Sequence, residues 1–104
     1  ADSAVKQSAS EYYIGYFRDA VKRAADEDYD FLIMDEIMAT VNLGLLDMEE
    51  LLTFLKNKPD KLEVVLTGRD PDKRICELAD YISDIRKIKH PFDKGTAARE
   101  GIEY

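Results

Sequence analysis

Tyr29-Asp30-Phe31-Leu32-Ile33-Met34-Asp35-Glu36 is the stretch on which the reading of this chain turns. Four consecutive apolar residues, bounded by polar ones, predict a strand buried on both faces of a parallel sheet. Open parallel sheets bind ligands just beyond the carboxyl ends of their strands. Asp35 and Glu36 stand at that end, where hard oxygen ligands can hold Mg²⁺ against a polyphosphate. This is a Walker-B-like pattern. A plainer alternative is a strand followed by a helix whose cap the two acids supply.

Around this strand the chain alternates. Ser8 and Glu11 have capping-box spacing and predict a helix start. Ile14, Phe17, Val21 and Ala24 then repeat as one apolar face. Tyr12, Tyr13 and Tyr16 read as core or half-buried packing, in preference to a stacking platform. Arg18, Lys22 and Arg23 read as a solvated face. After Glu36, residues 37–46 predict a short helix stopping near Gly44. Asp47 and Glu50 predict a capped second helix with Met48, Leu51, Leu52 and Leu55 inward, closed by Lys58-Pro59.

Leu62-Glu63-Val64-Val65-Leu66 predicts a second strand ending in Thr67-Gly68-Arg69. Gly68 would let backbone approach a ligand, and Arg69 offers a planar fork for phosphate or carboxylate. A turn glycine and a surface arginine read equally well. Asp70-Pro71 predicts the next helix start, with Ile75, Leu78 and Ala79 inward and Cys76 a small buried or half-buried residue. Tyr81 to Ile88 alternates in part and predicts a third, less buried strand. The basic bias from Arg86 to Lys94 suits an anionic ligand or a solvated tail. His90, without a second soft ligand nearby, makes no metal site. Strands separated by helices predict an α/β domain: a three-layer parallel sheet with flanking helices.

The 104 residues make one small domain with 45% hydrophobic and 36% charged content. A net charge of −7 argues against nucleic-acid binding, which needs a positive footprint. No apolar run reaches the roughly 20 residues that span a bilayer, and no signal peptide is visible. One cysteine fits a reducing cytoplasm.

Met34-Asp35-Glu36, Gly44-Leu45-Leu46-Asp47, Leu66-Thr67-Gly68-Arg69, Lys89-His90-Pro91-Phe92-Asp93-x-Gly95 and Gly101-Ile102-Glu103-Tyr104 together resemble the carboxyl-terminal half of the P-loop ATP:corrinoid adenosyltransferases. The resemblance covers about residues 28–104. It implies the corresponding half of a RecA-like P-loop fold. The implied enzyme moves the 5′-deoxyadenosyl group of ATP onto Co(I) of a reduced corrinoid and releases triphosphate with the help of Mg²⁺. By resemblance, Glu36 is the catalytic and Mg²⁺-binding carboxylate, with Asp35 beside it. Thr67, Gly68, Arg69, His90, Phe92 and Asp93 contact nucleotide or corrinoid. Met38 stands where the family usually has Asn, and Ala97 where it often has Lys.

The family's Walker A loop, GxxxxGK[ST], does not occur in these 104 residues. The expectation is therefore a fragment of a longer enzyme, inactive alone, that pairs as a homodimer or with the missing amino-terminal half. The competing expectations are a non-catalytic corrinoid-binding module, and an unrelated α/β protein whose acidic strand end is a phosphoacceptor or helix cap.

Overall fold

The structure is a computed structural model that describes residues 2–85. Its elements run α1 (Ser3–Asp26), β1 (Phe31–Met34), α2 (Ile37–Asn42), α3 (Met48–Asn57), β2 (Glu63–Leu66) and α4 (Lys73–Leu78). β1 and β2 pair in parallel, with Phe31 opposite Glu63 and Met34 opposite Leu66. The expected α/β alternation is present. No helix among the described residues is long and apolar enough to cross a membrane.

A parallel register puts Leu32, Met34 and Leu66 on one sheet face, because side chains alternate along a strand. These residues join a core built from Phe17 of α1, Met38 and Val41 of α2, Leu51 and Leu52 of α3, and Ile75 of α4. Leu46, Leu51 and Leu62 are almost wholly buried. The opposite sheet face carries Phe31, Ile33 and Val65, which are 51%, 57% and 39% exposed. The described residues thus form two layers, not the three that the pattern predicted, and β1 is buried on one face only. A continuous apolar run records which residues could be covered, while coverage itself requires a second helical layer.

Four boundaries differ from the sequence reading. α1 starts at Ser3, where the Asp2 carboxylate accepts the Ala4 N–H at 3.0 Å. Asp caps as well as Ser, and the helix then propagates through Ser8 because extension costs less than nucleation. Glu50 completes no capping box; its carboxylate pairs with Arg18, while Asp47 caps α3 through the Glu49 N–H. The cap of α4 is Asp72, which accepts the Arg74 N–H at 2.8 Å. Asp70 has φ 52° and lies in the left-handed region, so it cannot serve as that cap. Finally, residues 81–85 form no strand, and Tyr81 and Ile85 are each 94% exposed. Alternation favours an extended chain but supplies no hydrogen-bonding neighbour. Residues 86–88 of that expected strand lie outside the described residues.

Burial also separates the aromatic and apolar expectations. Ile14, Phe17, Val21 and Ala24 do form the inward stripe of α1. Tyr12 and Tyr16 do not pack; they are 63% and 68% exposed and contact each other at 5.9 Å. They lie off the i, i+3, i+4 stripe, so the helix turns them outward. Leu78 and Ala79 are exposed as well, since α4 ends at Leu78.

One ion pair ties the long helix to the rest. The Arg18 guanidinium donates two hydrogen bonds to Glu50, at 2.7 and 3.1 Å, linking α1 to α3. Those hydrogen bonds, and secondarily the guanidinium charge, hold the Glu50 carboxyl below its usual range against an opposing effect of burial. A carboxyl depressed in the folded state adds stability above its unfolded pKa and loses it as pH falls through the folded value. The stability difference between wild type and Glu50→Gln, read from urea midpoints, should therefore be present at neutral pH. It should close toward zero as the acid limb is crossed. The difference should be small, because Arg18 is largely exposed and solvent screens the pair. A gap that is the same at both ends of the pH range would show that the bridge does not couple to folding.

Candidate functional site

Because β1 and β2 are parallel, their carboxyl ends lie side by side. The residues that follow Met34 and Leu66 are Asp35 and Thr67, and the Thr67 N–H donates to the Met34 carbonyl at 3.2 Å. The Thr67 hydroxyl then does two things. It donates to Asp35 Oδ1 at 2.6 Å, and it accepts the Glu36 N–H at 2.8 Å. The acidic pair and the Thr67-Gly68-Arg69 turn, 31 residues apart in sequence, thus meet at one sheet end.

Glu36 leaves the strand in the left-handed region, at φ 56° and ψ 26°, and occupies the cap position of α2. Its carboxylate makes no capping hydrogen bond. The plainer reading, in which the acids serve the helix cap, therefore fails for Glu36. Asp35 and Glu36 are both exposed.

Gly68 has φ 142°, and a Cβ there would lie 2.7 Å from both Cβ and Cγ of Met38. The close approach expected of Gly68 is real, but it is to the protein's own α2. Met38 is 6% exposed and belongs to the core. Met38, marked by the resemblance as a point of departure, is thus the residue seated under the Gly68 turn, a link that no sequence spacing announces. The same end of the fold is tied once more, because the Asn42 side-chain amide donates to the Asp70 carbonyl at 3.0 Å. Sequence reasoning missed Asn42 as well; a lone Asn near a helix end carries no signal of a partner 28 residues away.

Arg69 is exposed and makes no hydrogen bond or ion pair among the described residues. Its guanidinium stays available to an anion. His90, Phe92 and Asp93 lie outside the described residues.

The donor set suits Mg²⁺. That ion keeps several waters and is usually held by one or two carboxylates together with substrate phosphates. Two exposed, adjacent carboxylates match that demand. Among the described residues no group of three or more His, Cys, Asp or Glu side chains is assembled, so nothing there suits a metal that needs a closed protein cage.

A family model described as ATP:corrinoid adenosyltransferase BtuR/CobO/CobP matches residues 2–104. The chain belongs to this family. The match extends the expected similarity back through α1. Among curated relatives, the chain is 38% identical over 85 residues to a corrinoid adenosyltransferase of Escherichia coli, covering 82% of this chain and 43% of that protein. It is 38% identical over 80 residues to one of Salmonella typhimurium, covering 77% of this chain and 41% of that protein. A corrinoid adenosyltransferase of Pseudomonas aeruginosa is 29% identical over 85 residues. The chain thus spans about two-fifths of the length of the adenosyltransferases it matches.

Proposed function

We propose that this chain carries the acidic strand end of an ATP-dependent corrinoid adenosyltransferase. In the reaction, the cobalt electron pair of a reduced corrinoid attacks C5′ of ATP. A Co–C bond forms, the C5′–O bond breaks with its electrons on the departing triphosphate, and Co(I) becomes formally Co(III). Cobalt here is substrate. The observation that carries this reading is the junction of Asp35, Glu36 and Thr67 at one sheet end, in a chain of this family.

Asp35 and Glu36 would hold a Mg²⁺, which when bound neutralises charge developing on the leaving polyphosphate. The protein itself supplies orientation. Arg69, free of a described partner, would engage the nucleotide or the corrinoid. His90, Phe92 and Asp93 would line the loop over the site. Since residues 1–104 contain no Walker A loop, the single unit they form would not catalyse the transfer by itself. The working enzyme would join it to the missing half. The test is conversion of ATP and reduced corrinoid to adenosylcorrinoid by a protein of full family length that contains these residues, followed by absorbance. Full-length protein that binds both substrates yet forms no adenosylcorrinoid would leave the non-catalytic corrinoid-binding module in its place.

The uncovered sheet face supports a second element of the proposal. Phe31, Ile33 and Val65, with the edges that the two-stranded sheet leaves unpaired among the described residues, form a surface that solvent disfavours. A homodimer, or the segment that family members possess and this chain does not span, would cover it. Light scattering on the isolated chain should give a mass above the monomer at high concentration, with Ile33→Lys returning it toward the monomer. A strictly monomeric wild type would remove the association from the proposal.

A further inference from the structure

We infer that Thr67 is the positioning residue of the acidic pair and not a ligand contact, an inference that rests on the reading of Asp35 and Glu36 as the Mg²⁺ site. A threonine hydroxyl has one proton to donate. Here that proton is committed to Asp35 Oδ1 at 2.6 Å, a short bond of the charge-assisted kind. To donate to a phosphate or a corrin side chain, Thr67 would first have to release Asp35. The same oxygen accepts the Glu36 N–H at 2.8 Å. One hydroxyl therefore holds the side chain of one acid and the backbone of the next.

The backbone of Glu36 is the less ordinary part of this arrangement. Among the described residues, three non-glycine residues have positive φ: Asp28, Glu36 and Asp70. Asp tolerates the left-handed region comparatively well, because its short side chain can bond the local backbone. Glu has no such advantage, and a left-handed non-glycine residue persists only when its surroundings over-determine it. Glu36 lies between the last residue of the β1 ladder and the first of α2, so its N–H belongs to neither. The Thr67 hydroxyl supplies the acceptor. The turn that moves Glu36 out of the strand line, directly after Asp35, is thereby latched from the neighbouring strand.

The parallel register delivers this latch. Met34 pairs with Leu66, so the next residue of β2 arrives beside Asp35. The rigid placement of Thr67 adds to it: its own N–H bonds the Met34 carbonyl at 3.2 Å, and Gly68 locks against Met38. Groups that hold a metal ligand's side chain in place typically affect metal affinity by about 10–100-fold when removed.

The test uses a protein of full family length that contains these residues, with ATP present to supply the phosphate ligands, Mn²⁺ as a paramagnetic probe of the Mg²⁺ site and hydrogen exchange of the Glu36 amide as a second readout. Thr67→Val removes the hydroxyl at nearly constant shape, Thr67→Ala removes it without the branched side chain, and Thr67→Ser keeps it. The expected result is Mn²⁺ binding about tenfold or more weaker in Thr67→Val and Thr67→Ala, with Thr67→Ser near wild type. Exchange of the Glu36 amide should quicken in the first two and recover in the third, while amides in the core of α3 keep their protection. A purely structural threonine would shift all protected amides together, and that outcome overturns the inference. So does equal Mn²⁺ affinity in wild type and Thr67→Val. A wild-type chain that ignores Mn²⁺ altogether would instead overturn the metal reading beneath it.

Discussion

Glu36→Ala, made in an adenosyltransferase of full family length that contains this chain, is expected to lower the rate of adenosyl transfer by about a hundredfold or more. The Glu36 carboxylate is exposed, sits at the end of β1 and makes no capping bond, so its charge is spent on no partner among the described residues. Its proposed work is to hold the cation that offsets charge growing on the triphosphate as the C5′–O bond breaks. An interaction that strengthens toward the transition state appears in kcat as well as in kcat/KM. Glu36→Gln, which keeps the size and loses the charge, should fall nearly as far. Thermal stability should barely move, because a left-handed backbone is retained in both variants and no fold contact is removed. If Glu36→Ala keeps its rate at limiting Mg²⁺, the carboxylate does not hold the cation, and the assignment goes with it.

Gly68→Ala should destabilise the chain by about 2–5 kcal/mol, combining backbone strain with overpacking. A φ of 142° lies in territory that L side chains rarely adopt, and the new Cβ would meet Met38 Cβ and Cγ at 2.7 Å and its backbone N at 3.2 Å. Met38 cannot yield easily, since it is buried in the core. Against a total of about 5–15 kcal/mol for a typical domain, this loss lowers the urea midpoint severely. A second substitution separates the causes. Met38→Ala removes Cγ but leaves Cβ and the backbone N in place, so Gly68→Ala should remain destabilising beside it. Full rescue by Met38→Ala would mean that the clash is with the flexible end of the side chain alone, and that the φ carries no cost. Because Thr67 and Arg69 flank Gly68, Mn²⁺ binding should weaken along with stability in the single variant.

The two candidate ligands and the strand that presents them were legible in the chain itself. An apolar run closed by Asp35-Glu36, and a second closed by Thr67-Gly68-Arg69, are local facts of composition and order. Strand cores at 31–34 and 63–66 followed from short apolar runs bounded by polar residues, while the inward stripe of α1 and Leu51 and Leu52 of α3 followed from helical periodicity, because burial against one partner imposes the period of the helix. The family resemblance was legible too, since it rests on short motifs in a set order.

Other features belong to relations between distant residues, which no spacing encodes. The Thr67 hydroxyl gives its proton to Asp35 and a lone pair to the Glu36 N–H, a double pairing that the motif order does not announce. Asp70 looked like a helix cap by its Pro71 neighbour, and a left-handed backbone moved the cap to Asp72. Tyr12 and Tyr16 were expected to pack, but the face they occupy meets no element among the described residues.

By its sequence alone this chain determined its α/β alternation, its strand cores and the acidic pair at a strand end, because local periodicity and motif order are properties of neighbours along the chain. Only the tertiary structure decided that β1 is covered on one face, that Gly68 closes on Met38, and that one threonine hydroxyl latches both acids. Those outcomes depend on which surfaces meet across the parallel register, and a hydrogen bond between residues 31 positions apart forms only after the strands have paired.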